Sequence, residues 1–306
     1  MARLGEVQQA VERVAANAGA TVVRIGRGAG RGAGVLIGDG AVLTNAHNLR
    51  GSETTVTFAD GRVETGAVAG VDLDADLAVV RAAGAGDGAS GLEWHAGEVR
   101  LGSTVLTLTL PAGGGVRVTV GTVSSVGATF RGPRGRLVHG GIEHTAPLSR
   151  GSSGSPVLDP DGRLVGLNTH RLGEGFYLAV AAGAELRERA DALARGESPR
   201  RPYLGVALLP PRAARRLRAA VGLPERDGLL VRDVDEDGPA ARAGVRPGDL
   251  LVEAGGRALG SPDELYEALA AVAEGGELPL HVVRGSEELD VVVNFAGDGG
   301  ARPGGA

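Results

Sequence analysis

Arg150-Gly151-Ser152-Ser153-Gly154-Ser155-Pro156 is the stretch from which the rest of this chain is read. Two glycines bracket Ser153. Glycine reaches backbone angles that other residues avoid and lets a substrate approach the main chain closely. The stretch therefore reads as a tight turn that presents a serine hydroxyl beside free backbone N–H groups. Val157-Leu158 follows as an apolar strand, then a turn at Asp159-Pro160-Asp161-Gly162, then a second strand, Leu164-Val165-Gly166-Leu167. A hairpin of that kind holds the loop still. Alone, the loop is equally an ordinary Gly/Ser turn.

Upstream residues decide between the two. Leu43-Thr44-Asn45-Ala46-His47 ends an apolar pattern that begins at Val35. A serine nucleophile needs a base, and histidine is the usual one near neutral pH. The base needs a carboxylate to orient it. Asp72, Asp74 and Asp76 offer three, and alternation along a strand places all of them on one face. The order His, Asp, Ser is that of the chymotrypsin-like double barrel.

With these residues on the page, the chain resembles the HtrA (Deg) family of trypsin-like serine proteases with a C-terminal PDZ domain. Four stretches carry the resemblance: Leu43 to His47, Asp76-Leu77-Ala78-Val79, Gly151 to Pro156 with Leu164 to Thr169, and Gly244-Val245-Arg246-Pro247-Gly248-Asp249-Leu250-Leu251. It runs from about Val22 to about Phe295. It implies a mostly β fold, a chymotrypsin-like double β-barrel followed by an α+β PDZ domain. It implies His47 as base, Asp76 as orienting acid (the acid directly before Leu-Ala) and Ser153 as nucleophile. The oxyanion hole falls to the backbone of Gly151 and Ser153, with Ser152 assisting. Two departures are visible: Ser152 stands where the family usually has Asn, and Ser155 where it has a second glycine.

The resemblance also places a specificity pocket between Thr145–Ser149 and Asn168–Arg171. Its floor falls at Pro147, with Leu148, Asn168 and His170 around it. No acid lies between Thr145 and Arg150, and a buried cation without a partner is costly. Cleavage after aliphatic residues is the expectation; His170-Arg171 leaves open an attraction for acidic side chains. In the second domain, Tyr203-Leu204-Gly205-Val206 resembles the loop that presents N–H groups to a peptide's C-terminal carboxylate. The strand after it, Gly205 to Leu209, adds the peptide as a further strand.

At 306 residues the chain suits two domains. Hydrophobic residues make up 42%, within the globular range, and aromatics only 3%. The core must be built from Val, Leu, Ile and Ala. The 53 glycines suit many tight turns. The net charge of −5 gives a nucleic-acid role no electrostatic support. With no cysteine, disulfides, thiol catalysis and thiolate metal sites are excluded. His139, His144 and His170 have no ligand spacing and no accompanying acids, so neither a metal nor a cofactor is expected.

The organisation reads as an N-terminal helical segment (1–20), a protease domain (21–183), a helix and linker (184–201), a PDZ domain (202–295) and a tail (296–306). Leu4, Val7, Val11, Val14 and Ala18 recur at helical spacing. The Gly-rich run from Gly26 to Gly34 fits a surface loop before a strand better than a phosphate cradle, since no helix follows. His95 reads as structural or exposed and not catalytic, and Arg131, Arg134 and Arg136 as a solvated basic loop. No apolar run is long enough to span a membrane and no signal-peptide pattern opens the chain. That predicts a cytoplasmic protein, or a cell-envelope protein whose anchor has been removed.

The function expected is an ATP-independent serine endopeptidase acting on unfolded or misfolded proteins. Its partners are those substrates and peptides with apolar C-termini, and resemblance suggests a homo-oligomer, a trimer. The alternative is a chaperone-like or peptide-binding scaffold of the same fold with a dormant protease site. An α/β-hydrolase esterase fails, because no G-x-S-x-G elbow surrounds Ser153 and histidine does not come last.

Overall fold

The computed structural model describes residues 2–28, 31–85, 91–131, 137–173, 175–199, 202–209, 211–273 and 275–296. Arg134, Arg136, residues 86–90 and the tail from 297 lie outside them. The chain divides into two compact units, Met1–Pro199 and Arg200–Ala306.

The first unit opens with α1 (Ala2–Ala18). Of its predicted apolar stripe, Val14 and Ala18 are buried and Val11 packs half-buried against the core, whereas Val7 remains exposed; Ala10, outside that stripe, is buried as well. Twelve strands follow: β1 (Val22–Ile25), β2 (Gly32–Gly38), β3 (Ala41–Thr44), β4 (Glu53–Thr57), β5 (Val63–Asp72), β6 (Leu77–Arg81), β7 (Thr104–Thr109), β8 (Arg117–Arg131), β9 (Leu137–His144), β10 (Pro156–Leu158), β11 (Leu164–Gly173) and β12 (Phe176–Ala181). They close into two barrels, in the orders β1-β2-β3-β6-β5-β4 and β10-β11-β12-β9-β8-β7. Closure leaves no open sheet edge.

One core joins the barrels. Leu43, Leu77 and Val79 of the first pack in the same cluster as Leu106, Leu108, Leu158 and Leu167 of the second. The helix α2 (Ala184–Ala194) adds Leu186, Ala190 and Leu193. Gly70 makes this packing possible, because a Cβ there would lie 2.6 Å from the Leu193 carbonyl oxygen. Of the two readings of His95 the structural one fits, since the half-buried ring has its Nδ1 2.9 Å from Asp159 Oδ2.

The second unit is a sheet in the order β13-β14-β15-β17-β18, formed by Val206–Leu208, Leu229–Val234, Leu250–Ala254, Glu277–Arg284 and Glu287–Asn294. The short β16 (Arg257–Ala258) pairs with β15. Helices α3 (Pro211–Ala220), α4 (Pro239–Arg242) and α5 (Pro262–Ala270) complete it. Ser261 and Glu264 form a capping box that fixes the start of α5 at Pro262. The buried Asp249 accepts two hydrogen bonds of 2.8 Å from Arg284.

Candidate active site

The acids around Asp76 do not share a strand face. Strand β5 ends at Asp72 and β6 begins at Leu77, so Asp74 and Asp76 lie on the turn between them. Asp72 makes that turn. Its Oδ1 accepts the N–H groups of Asp74 and Ala75, both at 3.0 Å, and its Oδ2 accepts Arg189 at 2.7 Å. Asp76 then takes a left-handed φ of 54°, unusual for a residue with a side chain.

That conformation places Asp76 beneath His47. Its Oδ2 lies 2.7 Å from His47 Nδ1 and its Oδ1 accepts the His47 N–H at 3.0 Å. Thr169 Oγ1 donates to the same Oδ2 at 3.1 Å. The Asp76 carbonyl accepts Ala46 N–H and Asn45 Nδ2. A carboxylate can only accept, so Nδ1 carries the proton and Nε2 is the basic nitrogen.

Ser153 sits on the other barrel and is tied to the first by its own backbone. Its carbonyl accepts Ala33 N–H at 2.7 Å and Asn48 Nδ2 at 2.9 Å. Gly151 and Gly154 have φ of 81° and 87°, the left-handed turn expected of the loop. Among the described residues, the N–H groups of Gly151 and Ser153 donate to no protein acceptor, as an anion-binding turn requires. Ser152 is buried with its Oγ unpartnered. The Ser153 hydroxyl donates to the Thr169 carbonyl at 3.1 Å and makes no hydrogen bond to His47.

A pocket of about 140 Å³ opens beside Ser153. Leu148, Asn168 and His170 line it, together with Arg171 and Tyr177. Pro147 does not, which corrects its placement as the floor. Thr119 Oγ1 holds the Pro147 carbonyl at 2.8 Å, and Gly121 leaves no space for a Cβ against Ala146. The segment is thereby bound to the back of β8 and turns toward the pocket only at Leu148.

Sequence reasoning missed Asn48, Thr169, His144 and Tyr177. His144 is buried, stacked on Tyr177 with ring centroids 5.7 Å apart, and its Nε2 lies 2.7 Å from Asn168 Oδ1. Burial pushes its pKa below the usual imidazole value, against the hydrogen bond to Asn168. The side chain of His139 lies outside the described set. Asn48 was legible in principle as a polar residue one step past His47; Tyr177 becomes a wall only through the pairing of β11 with β12.

In the second unit, Leu204 is buried and Tyr203 is partly exposed. Gly205 has φ 81°, and a Cβ there would press against Gly238. The carbonyls of Leu204 and Gly205 are anchored by Ala240 and Asp235 N–H groups. Their own N–H groups donate to no acceptor among the described residues. Val206 begins β13, which among the described residues pairs with β14 alone and so leaves one edge of the sheet open.

Double barrel, His–Asp pair and glycine-bracketed serine together define a trypsin-like peptidase domain. A family model described as trypsin-like peptidase domain matches residues 32–167, and one described as PDZ domain matches residues 230–284. The chain is 32% identical over 269 residues to a probable periplasmic serine endoprotease, DegP-like, of Halomonas elongata, covering 86% of this chain and 55% of that protein. It is 30% identical over 283 residues to the putative serine protease HhoA of Synechocystis sp., covering 88% and 71%. Among solved structures, the HtrA-type protease AlgW with decapeptide shares the fold at TM-score 0.65 and 22% identity, covering 93% of this chain and 98% of that one. The serine endoprotease from Yersinia pestis matches at TM-score 0.63 and 25% identity, covering 93% and 97%. The chain belongs to the HtrA family of trypsin-like serine endoproteases with a PDZ domain. It spans about half the length of the DegP-like relatives it matches.

These relatives correct the expected compartment. The Halomonas and Brucella proteins are named periplasmic, which overturns the cytoplasmic expectation. Among the described residues no helix is long and apolar enough to cross a membrane. An exported soluble domain needs no such run either, so composition does not separate the two compartments.

Proposed function

We propose that this protein is a serine endopeptidase of the cell envelope that cleaves unfolded or misfolded proteins, with a C-terminal unit that captures apolar peptide C-termini. Ser153 attacks the scissile carbonyl. His47 Nε2 takes the serine proton and later gives it to the leaving amine. Asp76 holds the imidazole tautomer and stabilises the imidazolium. The free N–H groups of Gly151 and Ser153 receive the oxyanion, each donor of such a hole being worth about 3–4 kcal/mol. Side chains and backbone supply every role in this scheme. Before attack the Ser153 hydroxyl must leave the Thr169 carbonyl and turn toward His47.

The observation that carries this reading is the 2.7 Å His47–Asp76 contact, completed by Thr169 and facing a serine loop tied to the same barrel through Ala33 and Asn48. The test is labelling by a fluorophosphonate, which reports an activated serine without knowledge of a substrate. Labelling of Ser153 with degradation of unfolded casein is expected; an unlabelled Ser153 would sink the reading.

The same reading divides the chain into a peptidase domain at 21–183, a helix and linker at 184–201, and a PDZ domain at 202–295. It assigns Tyr203, Leu204, Gly205 and Val206 to carboxylate capture and the open edge of β13 to strand addition. Full-length protein should bind a peptide with a free apolar C-terminus more tightly than its amide, and calorimetry compares the two. Family membership supports a homotrimer, which sedimentation analysis measures.

A further inference from the structure

We propose that the pocket beside Ser153 selects an acidic side chain, so that the enzyme cleaves after Glu or Asp. The inference rests on the peptidase reading and names the substrate class of that same site. The pocket includes Ser152, Ser153 and Thr169, whose carbonyl accepts the Ser153 hydroxyl. A side chain entering it therefore belongs to the residue whose carbonyl carbon lies on Ser153 Oγ.

Every ionisable lining group that carries charge near neutral pH is basic: Arg150, Arg171 and, when protonated, His170. None of the three makes an ion pair with a carboxylate among the described residues. Arg171 is fixed by neutral acceptors alone. Its Nη2 donates to the Leu148 carbonyl at 2.9 Å and to the Tyr177 hydroxyl at 3.2 Å. Its guanidinium lies 5.4 Å from the Tyr177 ring centroid. Tyr177 is buried and stacked on His144, so the clamp rests on a rigid base. One guanidinium edge is thus engaged and the rest of the group remains available to a ligand.

The aliphatic expectation came from Pro147 and Leu148, and Pro147 is not in the wall. An aliphatic side chain seated here would cover Arg171 and remove its water without replacing it. A carboxylate replaces that water with charge-assisted hydrogen bonds, and an arginine or lysine side chain would be repelled. Arginine suits this task because its planar fork keeps donors for a carboxylate after one edge is bound.

The test uses the full chain and quenched peptides that differ only at the residue before the scissile bond: Glu against Gln, Asp against Asn, with Leu and Ala beside them. Each pair matches in size and differs in charge. Wild-type kcat/KM should be about tenfold or more higher for Glu than for Gln, the discrimination one charge-assisted hydrogen bond supplies. The ratio should shrink as salt is raised. In Arg171→Gln, which keeps an amide donor for the Leu148 carbonyl, it should fall toward one. A wild-type ratio near one, faster cleavage after Leu or Ala than after Glu, or a ratio unmoved by Arg171→Gln each overturns the inference while the peptidase reading stands. Fluorophosphonate labelling without cleavage of the Glu peptide does the same. No labelling and no cleavage of any peptide overturns both.

Discussion

The α-carbon of Gly154 and the carbonyl oxygen of Ala33 stand so close that no side chain fits between them. A Cβ on Gly154 would overlap that oxygen and lie 2.8 Å from Thr44 Oγ1. Ala33 N–H in turn donates to the Ser153 carbonyl. The serine loop of the second barrel is thereby seated against β2 and, through Thr44, against the end of β3 that leads to His47. This close approach holds the loop of the nucleophile against the barrel that carries the base.

Gly154→Ala tests this directly. The left-handed φ costs an L-residue about 1–2 kcal/mol, and the clash with backbone adds to it. Gly162→Ala, at φ 88° in the hairpin that follows, meets only an ordinary contact with Val14. Urea denaturation should show a loss of about 1–2 kcal/mol for Gly162→Ala and a larger one for Gly154→Ala. Fluorophosphonate labelling should survive the first and vanish in the second. Equal losses would show that the Ala33 contact is not a constraint.

The three serines should separate cleanly. Ser153→Ala should abolish casein cleavage and leave the fold intact. Ser155 is buried and accepts Asn168 Nδ2 at 3.0 Å, so Ser155→Ala strands a buried donor and should cost about 1–3 kcal/mol of stability. Ser152 Oγ has no partner, so Ser152→Ala should be neutral or slightly stabilising. Casein turnover close to wild type in Ser153→Ala would place the nucleophile elsewhere.

The motifs of the site are legible in the sequence because each is local. A glycine-bracketed serine and a histidine at a strand end keep their meaning wherever the barrels bring them. What the sequence withholds is made by pairing between distant segments. Thr169 reaches Asp76 across the two barrels, and Tyr177 walls the pocket because β12 pairs with β11. The period-2 pattern through Asp72, Asp74 and Asp76 predicts a strand, but Asp72 folds its own side chain onto the backbone and makes a turn.

Asp72 and Asp76 should fail in different ways. Asp76→Asn offers the wrong hydrogen-bonding partner to His47 Nδ1, and turnover should drop roughly 10⁴-fold with the fold retained. Asp72→Asn keeps an acceptor for the turn but loses the charge that faces Arg189. It should lower stability by about 1–3 kcal/mol and turnover far less. Matched kinetics and urea curves on both variants decide. A turnover loss at Asp72 as large as that at Asp76 would mean that the turn, not the carboxylate, limits catalysis.

His144 makes the peptidase unit sensitive to acid. Both ring nitrogens are committed: Ala146 N–H donates to Nδ1 at 3.2 Å, and Nε2 donates to Asn168 Oδ1 at 2.7 Å. Only the neutral imidazole with its proton on Nε2 satisfies both. Asn168 passes the constraint to Ser155, two residues beyond the nucleophile. Burial holds the folded-state pKa below the ordinary 6.5. Between that lowered value and 6.5 the unfolded chain binds more protons than the folded one, so stability rises with pH. The contribution is complete above about 6.5 and is lost as pH falls from there toward the folded value. His144→Gln has no proton to gain. Urea denaturation followed by the single Trp94, which lies in this unit, should show wild type losing stability relative to His144→Gln between pH 7.5 and pH about 5. A stability difference between the two proteins that stays constant over that range would mean that His144 does not change its protonation on unfolding.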